Sequence, residues 1–237
     1  MASVPVMAVV YAILSVGLAL LAGGLVGLLQ WLRVRRAGVA DGPTHLTGLA
    51  RPIEGRTVSA PAADAEALCA AWELQARRGG ADRPSWTTVA EGTATTNFTL
   101  QADEGDVRVE PRAARFDLGE DFLEEIDGRD ALPDAVAEAA GPEVSMADDE
   151  FYRLVEGRLA VDDPVSVTGR VASAAEGSPV VDGPADSSYL ARLLGVPFVI
   201  ADPDRGGGLG VLRDRAITGF VFGLPPTLLA LVLLFPP

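Results

Sequence analysis

Two long stretches without a charged side chain bracket the chain: residues 1–32 hold none and neither do residues 216–237. All charged residues therefore fall between Arg33 and Arg215. A helix crossing a bilayer needs about 20 mostly apolar residues; residues 5–32 supply 28 and residues 216–235 supply 20. The first run has no basic segment before it and is too long for a signal-peptide core, usually about 7–15 residues. The pattern predicts transmembrane helices within 1–32 and 213–237, a juxtamembrane linker over 33–44 and a soluble domain over 45–212. Arg33, Arg35 and Arg36 follow the first run, and Arg213 and Arg215 precede the second. Positive flanks stay inside, which places the middle domain in the cytoplasm and makes the chain a multi-pass protein of the cell membrane.

Within the domain the clearest alternation is over residues 97–111. Phe98 and Leu100, then Val107 and Val109, flank the turn Asp103-Glu104-Gly105, a hairpin with one buried face. Residues 86–90, 164–171 and 197–201 have strand character; residues 133–140, opened by Pro and closed by Gly141-Pro142, predict a short helix, and 187–194 another. Residues 62–78 are ambiguous, their Ala, Leu and Glu favouring helix. Residues 37–44, 120–129 and 172–186 read as linker or solvated loop. The fold class expected is α+β, a β-rich soluble domain between two transmembrane helices.

Composition narrows the chemistry. All 19 bases are Arg, against 33 acids, for a net charge of −14. With no lysine there is no Schiff-base lysine and no P-loop lysine. One Cys and one His cannot make a four-ligand zinc site or an internal disulfide, and the acidity disfavours nucleic acid. The spread of carboxylates with no lysine reads as adaptation to high salt, where screening removes self-repulsion.

The individual candidates read as structural. His45 has no partner histidine or nucleophile elbow. Cys69, between Leu68 and Ala70-Ala71-Trp72, sits in apolar surroundings that leave a thiol inert. The carboxylates at 124–125, 148–150 and 202/204 lack the calcium-loop alternation. Gly206-Gly207-Gly208-Leu209-Gly210 misses the dinucleotide spacing and reads as a flexible hinge. Asn97-Phe98-Thr99 is a glycosylation sequon, to be modified only if the domain lies outside. In the spans, Ser15, Ala19, Gly23 and Gly27 recur every four residues, as do Gly219 and Gly223. That spacing predicts close helix packing through Gly23, Gly27, Gly219 and Gly223, with Gly17 off the stripe, or else a homodimer face. Pro225-Pro226 predicts a kink.

The segment His45-Leu46-Thr47-Gly48-Leu49-Ala50-Arg51-Pro52 resembles the opening of the GIDE-type, or beside-a-membrane, domain, which lies between two transmembrane helices in membrane-anchored RING ubiquitin ligases and prokaryotic relatives. The likeness continues through Ser59-Ala60-Pro61, Cys69, Trp72 and Trp86, then Phe98, Asp103 and Gly105, then Glu150 and the strand carrying Asp163 and Gly169. Asp162-Asp163-Pro164 stands where the family usually has Gly-Asp. The resemblance implies structural roles for these positions, Cys69 in the core among them, and attaches a ubiquitin-ligase label. A RING holds two zinc ions on eight Cys/His-type ligands, which one Cys and one His cannot supply. Two readings stand: a non-catalytic module that docks an unidentified protein partner at the membrane, and a ligase-family component whose RING is not in these residues. Neither calls for a cofactor or metal.

Overall fold

The computed structural model describes residues 4–37, 42–78, 85–120, 122–126, 131–141, 151–173, 179–183 and 195–235. The expected helix over 187–194 and the motif residue Glu150 lie outside them. Helix α1 spans Val4–Arg36. Among the described residues thirteen strands follow: β1 Gly42–Pro52, β2 Val58–Ala60, β3 Ala65–Ala67, β4 Cys69–Arg78, β5 Ser85–Thr95, β6 Phe98–Ala102, β7 Gly105–Val109, β8 Arg115–Asp117, β9 Phe122–Ile126, β10 Tyr152–Leu159, β11 Pro164–Ser173, β12 Pro179–Asp182 and β13 Val199–Ala201. Helix α2, Asp134–Ala140, lies between β9 and β10, and α3, Gly207–Leu234, closes the described chain. The result is the α+β architecture expected, β-rich between two long apolar helices.

Five strands close on themselves. The ring runs β1-β6-β7-β12-β11 and returns to β1, because β1 pairs with β6 and also with β11. Closure removes open edges, and alternate side chains fill the interior: Leu46 and Ala50, Phe98 and Leu100, Val107 and Val109, Val165, Val167 and Val171, and Val181. The predicted hairpin supplies β6 and β7, with Gly105 at φ 129 in its turn. The loop expected over 172–186 is corrected: β11 runs on to Ser173, and β12 pairs in parallel with β7 to close the ring. Only Val180 and Val181 signal that strand, too short a run for the alternation to show.

A second antiparallel sheet, β5-β4-β10-β9, is inserted between barrel strands. Its inner face carries Trp72, Leu74, Ala76, Tyr152 and Leu154, covered by Leu132 and Val136 of the α2 region. The ambiguous residues 62–78 are β3 and β4: Trp72, Leu74 and Ala76 are buried at a period of two, which a helix cannot produce. Residues 120–129, read as loop, contain the edge strand β9, whose Leu123, Glu124 and Glu125 are exposed while Ile126 is buried. Charge on an edge strand resists unwanted pairing. The linker is shorter than expected, since β1 begins at Gly42.

The long helices pack antiparallel along their length. Beyond its first turn, the buried positions of α3 are Leu212, Ala216, Gly219, Gly223, Thr227 and Ala230, spaced by three or four. On α1 they are Val10, Gly17, Gly24, Gly27 and Val34. This is a seven-residue repeat, the seam of a left-handed helix pair. A Cβ on Gly219 would lie 2.4 Å from the Gly24 Cα, and one on Gly223 would lie 3.0 Å from the Gly17 carbonyl oxygen. Gly27 faces Ala216, at 3.1 Å from its backbone nitrogen. Gly23 is different: a Cβ there meets nothing within 4 Å. The four-residue stripe is thus corrected at Gly23, which lies beside the seam, and Gly17, placed off the stripe, is in it. Helix α3 runs unbroken through Pro225 and Pro226.

Gly24→Leu and Gly219→Leu should therefore each abolish disulfide formation between cysteines placed at Val10 and Ala230 of the full chain in micelles. Gly23→Leu should leave it intact. Equal yields in all three variants would show that the repeat does not hold the helices together.

Candidate functional site

The motif positions fall into turns, strand crossings and cores. Gly48 pairs with Val165 on one side and Ala102 on the other, where β1 passes from β11 to β6; a Cβ there would lie 2.2 Å from the Gln101 carbonyl oxygen. Only glycine allows that approach. Arg51, just before Pro52 at the end of β1, forms an ion pair with Asp162 across the β10–β11 turn. Beside it the Asp163 Oδ2 accepts the Ala160 N–H at 2.8 Å, fixing the same turn. A Cβ on Gly169 would be 2.7 Å from Val181 and 2.9 Å from the Phe198 ring, so this position admits two core side chains from outside β11. Trp72 lies opposite Gly92, where a Cβ would come within 2.6 Å of the indole. Phe98 is fully buried in the barrel, and Asp103 is exposed in the hairpin turn.

Sequence reasoning missed Glu156. It is fully buried, and its two carboxylate oxygens accept the N–H groups of Ala62 and Ala63 at 2.9 and 3.1 Å, clamping the turn after Pro61 onto β10. A carboxylate taken from water needs such donors. The signal was available: Tyr152, Leu154 and Glu156 share one face, so an acid occupies an apolar register position.

The nucleophilic and basic groups are similarly placed. Burial pushes the Cys69 thiol up to about 12, and its side chain is inside the barrel cluster. The His45 Nδ1 lies 2.8 Å from the Thr168 Oγ1 on the neighbouring strand, and burial lowers its pKa. Among the described residues no three His, Cys, Asp or Glu side chains converge as a metal site. A polar hollow of about 130 Å³ is lined by Arg158, Asp163 and Asp202. It has room for a few waters, well below the usual 300 Å³ or so of a substrate pocket.

Two further features stand out among the described residues. The first is the outer face of the four-stranded sheet. There Arg153 stacks over Trp86 at 4.4 Å and donates its Nε–H to Gln75 at 2.8 Å, while Arg77, opposite Trp86 on β4, covers the exposed Phe151 at 5.6 Å. Arginine and aromatic side chains held in this way are enriched at protein interfaces. The second is the joint with α3. Gly206, with φ 74, caps the helix, and its first turn is packed on the barrel: a Cβ on Gly208 would lie 2.4 Å from Thr168. Ser166, beneath Gly207, donates to the Ala201 carbonyl at 3.2 Å. The glycine run, expected to be a flexible hinge, is thus a fixed contact, because its small residues let the helix backbone meet β11.

Glu156→Ala should destabilise the full chain in micelles by about 2 kcal/mol, the cost of orphaning buried donors, measured by urea unfolding followed through Trp72. His45 gives a pH dependence. Its lowered folded pKa favours neutral imidazole, so its contribution is whole above the ordinary value near 6.5 and is lost as pH falls below that value. His45→Gln should flatten the stability profile between about pH 6.5 and pH 5; an unchanged slope would assign it elsewhere.

Residues 73–203, more than half of the chain and the span from β4 through β13, match the family model GIDE, described as E3 ubiquitin ligase. No curated protein and no solved structure matches the chain. With both the match and the arrangement of barrel, inserted sheet and flanking helices, the chain belongs to the GIDE family, the domain family associated with E3 ubiquitin ligases.

Proposed function

We propose that the chain is a two-span protein of the cell membrane that holds its GIDE domain at the cytoplasmic surface and there docks a protein partner without itself catalysing a reaction. The observation that carries this reading is the joint between α3 and β11. A helix whose first turn is packed on the barrel fixes the domain's orientation relative to the membrane, which a docking module requires. The arginines at the domain-side ends of both helices support the orientation, and Trp31, stacked with Arg35 at 5.2 Å, is placed as an interfacial anchor. The outer face with Trp86, Phe151, Arg77 and Arg153 is the docking surface proposed.

The family description favours a second reading, in which the module is part of a ubiquitin-ligase-type assembly. Any RING would have to come from residues other than these 237, which hold one Cys and one His. Crosslinked pull-down from intact membranes separates the two: a RING-bearing or ubiquitin-like protein captured by the wild type and lost with Trp86→Ala and Phe151→Ser selects the second.

For topology, the chain should resist alkaline carbonate extraction, and protease added outside intact cells should spare the domain. Digestion within residues 42–201 in intact cells would overturn the orientation. The acidity we assign to life in concentrated salt. Raising KCl from about 0.1 M should increase the thermal midpoint as screening relieves repulsion among the 33 acids; a lower midpoint would count against it.

A further inference from the structure

An apolar groove of about 660 Å³ runs beside the seam of α1 and α3, lined by Leu20, Gly23, Gly24, Val26 and Gly219. Its volume is that of a small-molecule site, about 300–1,000 Å³. The missing side chain at Gly23 opens it, since a Cβ there meets nothing within 4 Å.

One end of the groove is formed by Arg215. This half-buried guanidinium donates to two neutral acceptors, the Gln30 Oε1 at 3.5 Å and the Gly195 carbonyl at 3.3 Å. The adjacent Asp214, also on the groove, pairs with Arg213 at 3.4 Å. Among the described residues no carboxylate lies within 4 Å of Arg215. Arg215 also precedes the uncharged run of α3, which puts it at headgroup level in a spanning helix. From there the groove follows α1 from Val26 to Ala19, roughly 10 Å of helix at 1.5 Å per residue.

We propose that this groove binds one anionic phospholipid, with its phosphate on Arg215 and one acyl chain along Gly23. The inference rests on the reading that both helices span the bilayer. Charge complementarity selects the ligand: among the described residues the cation at the mouth has no carboxylate within 4 Å, and the lining below it is mainly apolar. A choline lipid brings its own cation to the phosphate and gains less. A helix from a second copy fills the apolar part but sets apolar side chains against the Arg215 guanidinium, a charge that such a partner does not match.

The full chain is reconstituted in vesicles of equal phosphatidylglycerol and phosphatidylcholine, extracted in mild detergent and weighed by native mass spectrometry. The wild type should retain one phosphatidylglycerol per chain in preference to phosphatidylcholine. Arg215→Gln should lower that retention about fivefold, in keeping with about 1 kcal/mol for one arginine at an anionic surface. Gly23→Leu, whose Cβ meets nothing within 4 Å and whose side chain enters the groove, should lower it as well. Arg36→Gln, at an exposed position outside the groove, should behave as wild type. Equal retention of both lipids by the wild type overturns the proposal, as does wild-type retention in both groove variants. Disulfide crosslinking of two copies through Ala19→Cys, with no lipid retained, overturns it in favour of a second copy. Carbonate extraction of every variant runs alongside. A chain that washes off the membrane counts against the two-span reading, and one that stays but holds no lipid counts against the lipid site alone.

Discussion

The antiparallel pairing of β1 with β11 is the contact on which the rest of the molecule depends. It closes the barrel, and it joins the strand that follows α1 to the strand on which α3 begins. Because these two strands are neighbours, the helices at opposite ends of the chain emerge side by side and can pack. Gly48 lets the β6 backbone come close to β1 where its two partners overlap, and the Asp163 cap with the Arg51–Asp162 ion pair fixes the turn that leads into β11. Loss of the pairing would open the barrel and separate the helices together, since one ring of hydrogen bonds sets both.

Much of this was legible in the sequence because it rests on long or strongly periodic signals. The uncharged runs show the helices, and the alternation of Phe98, Leu100, Val107 and Val109 shows the hairpin. What escaped is set by partners distant in the chain. Val180 and Val181 form a strand because β7 and β11 lie on either side, a fact no local window contains. Residues 62–78 carry helix-favouring side chains, yet pairing with β10 and β5 overrides that preference.

The glycine seam shows the same limit. Small residues every four positions, at 15, 19, 23 and 27, are a property of α1 alone. Which of its glycines face α3 depends on the partner's own repeat of Leu212, Ala216, Gly219 and Gly223, and that repeat selects Gly17, Gly24 and Gly27. At the candidate site, the motif residues could be listed in advance, but their roles came from the structure. Glu156 was hidden for the opposite reason: its position was predictable, and only the two N–H groups from a turn over 90 residues away explain why an acid is there.

The contact between Gly208 and Thr168 has a consequence for encounters in the plane of the membrane. A domain on a slack tether samples a hemisphere, and its binding face spends most of its time turned away from any given neighbour. Here the helix backbone rests on the barrel, so on the proposed two-span reading the proposed docking face travels at one height and one attitude as the protein diffuses laterally. A membrane-bound neighbour of matching height then meets that face in a search reduced to two dimensions and one rotation, at a local concentration that a flexible linker would dilute. A side chain at Gly208 would push the helix off β11 and return that freedom, while leaving the proposed docking surface itself untouched.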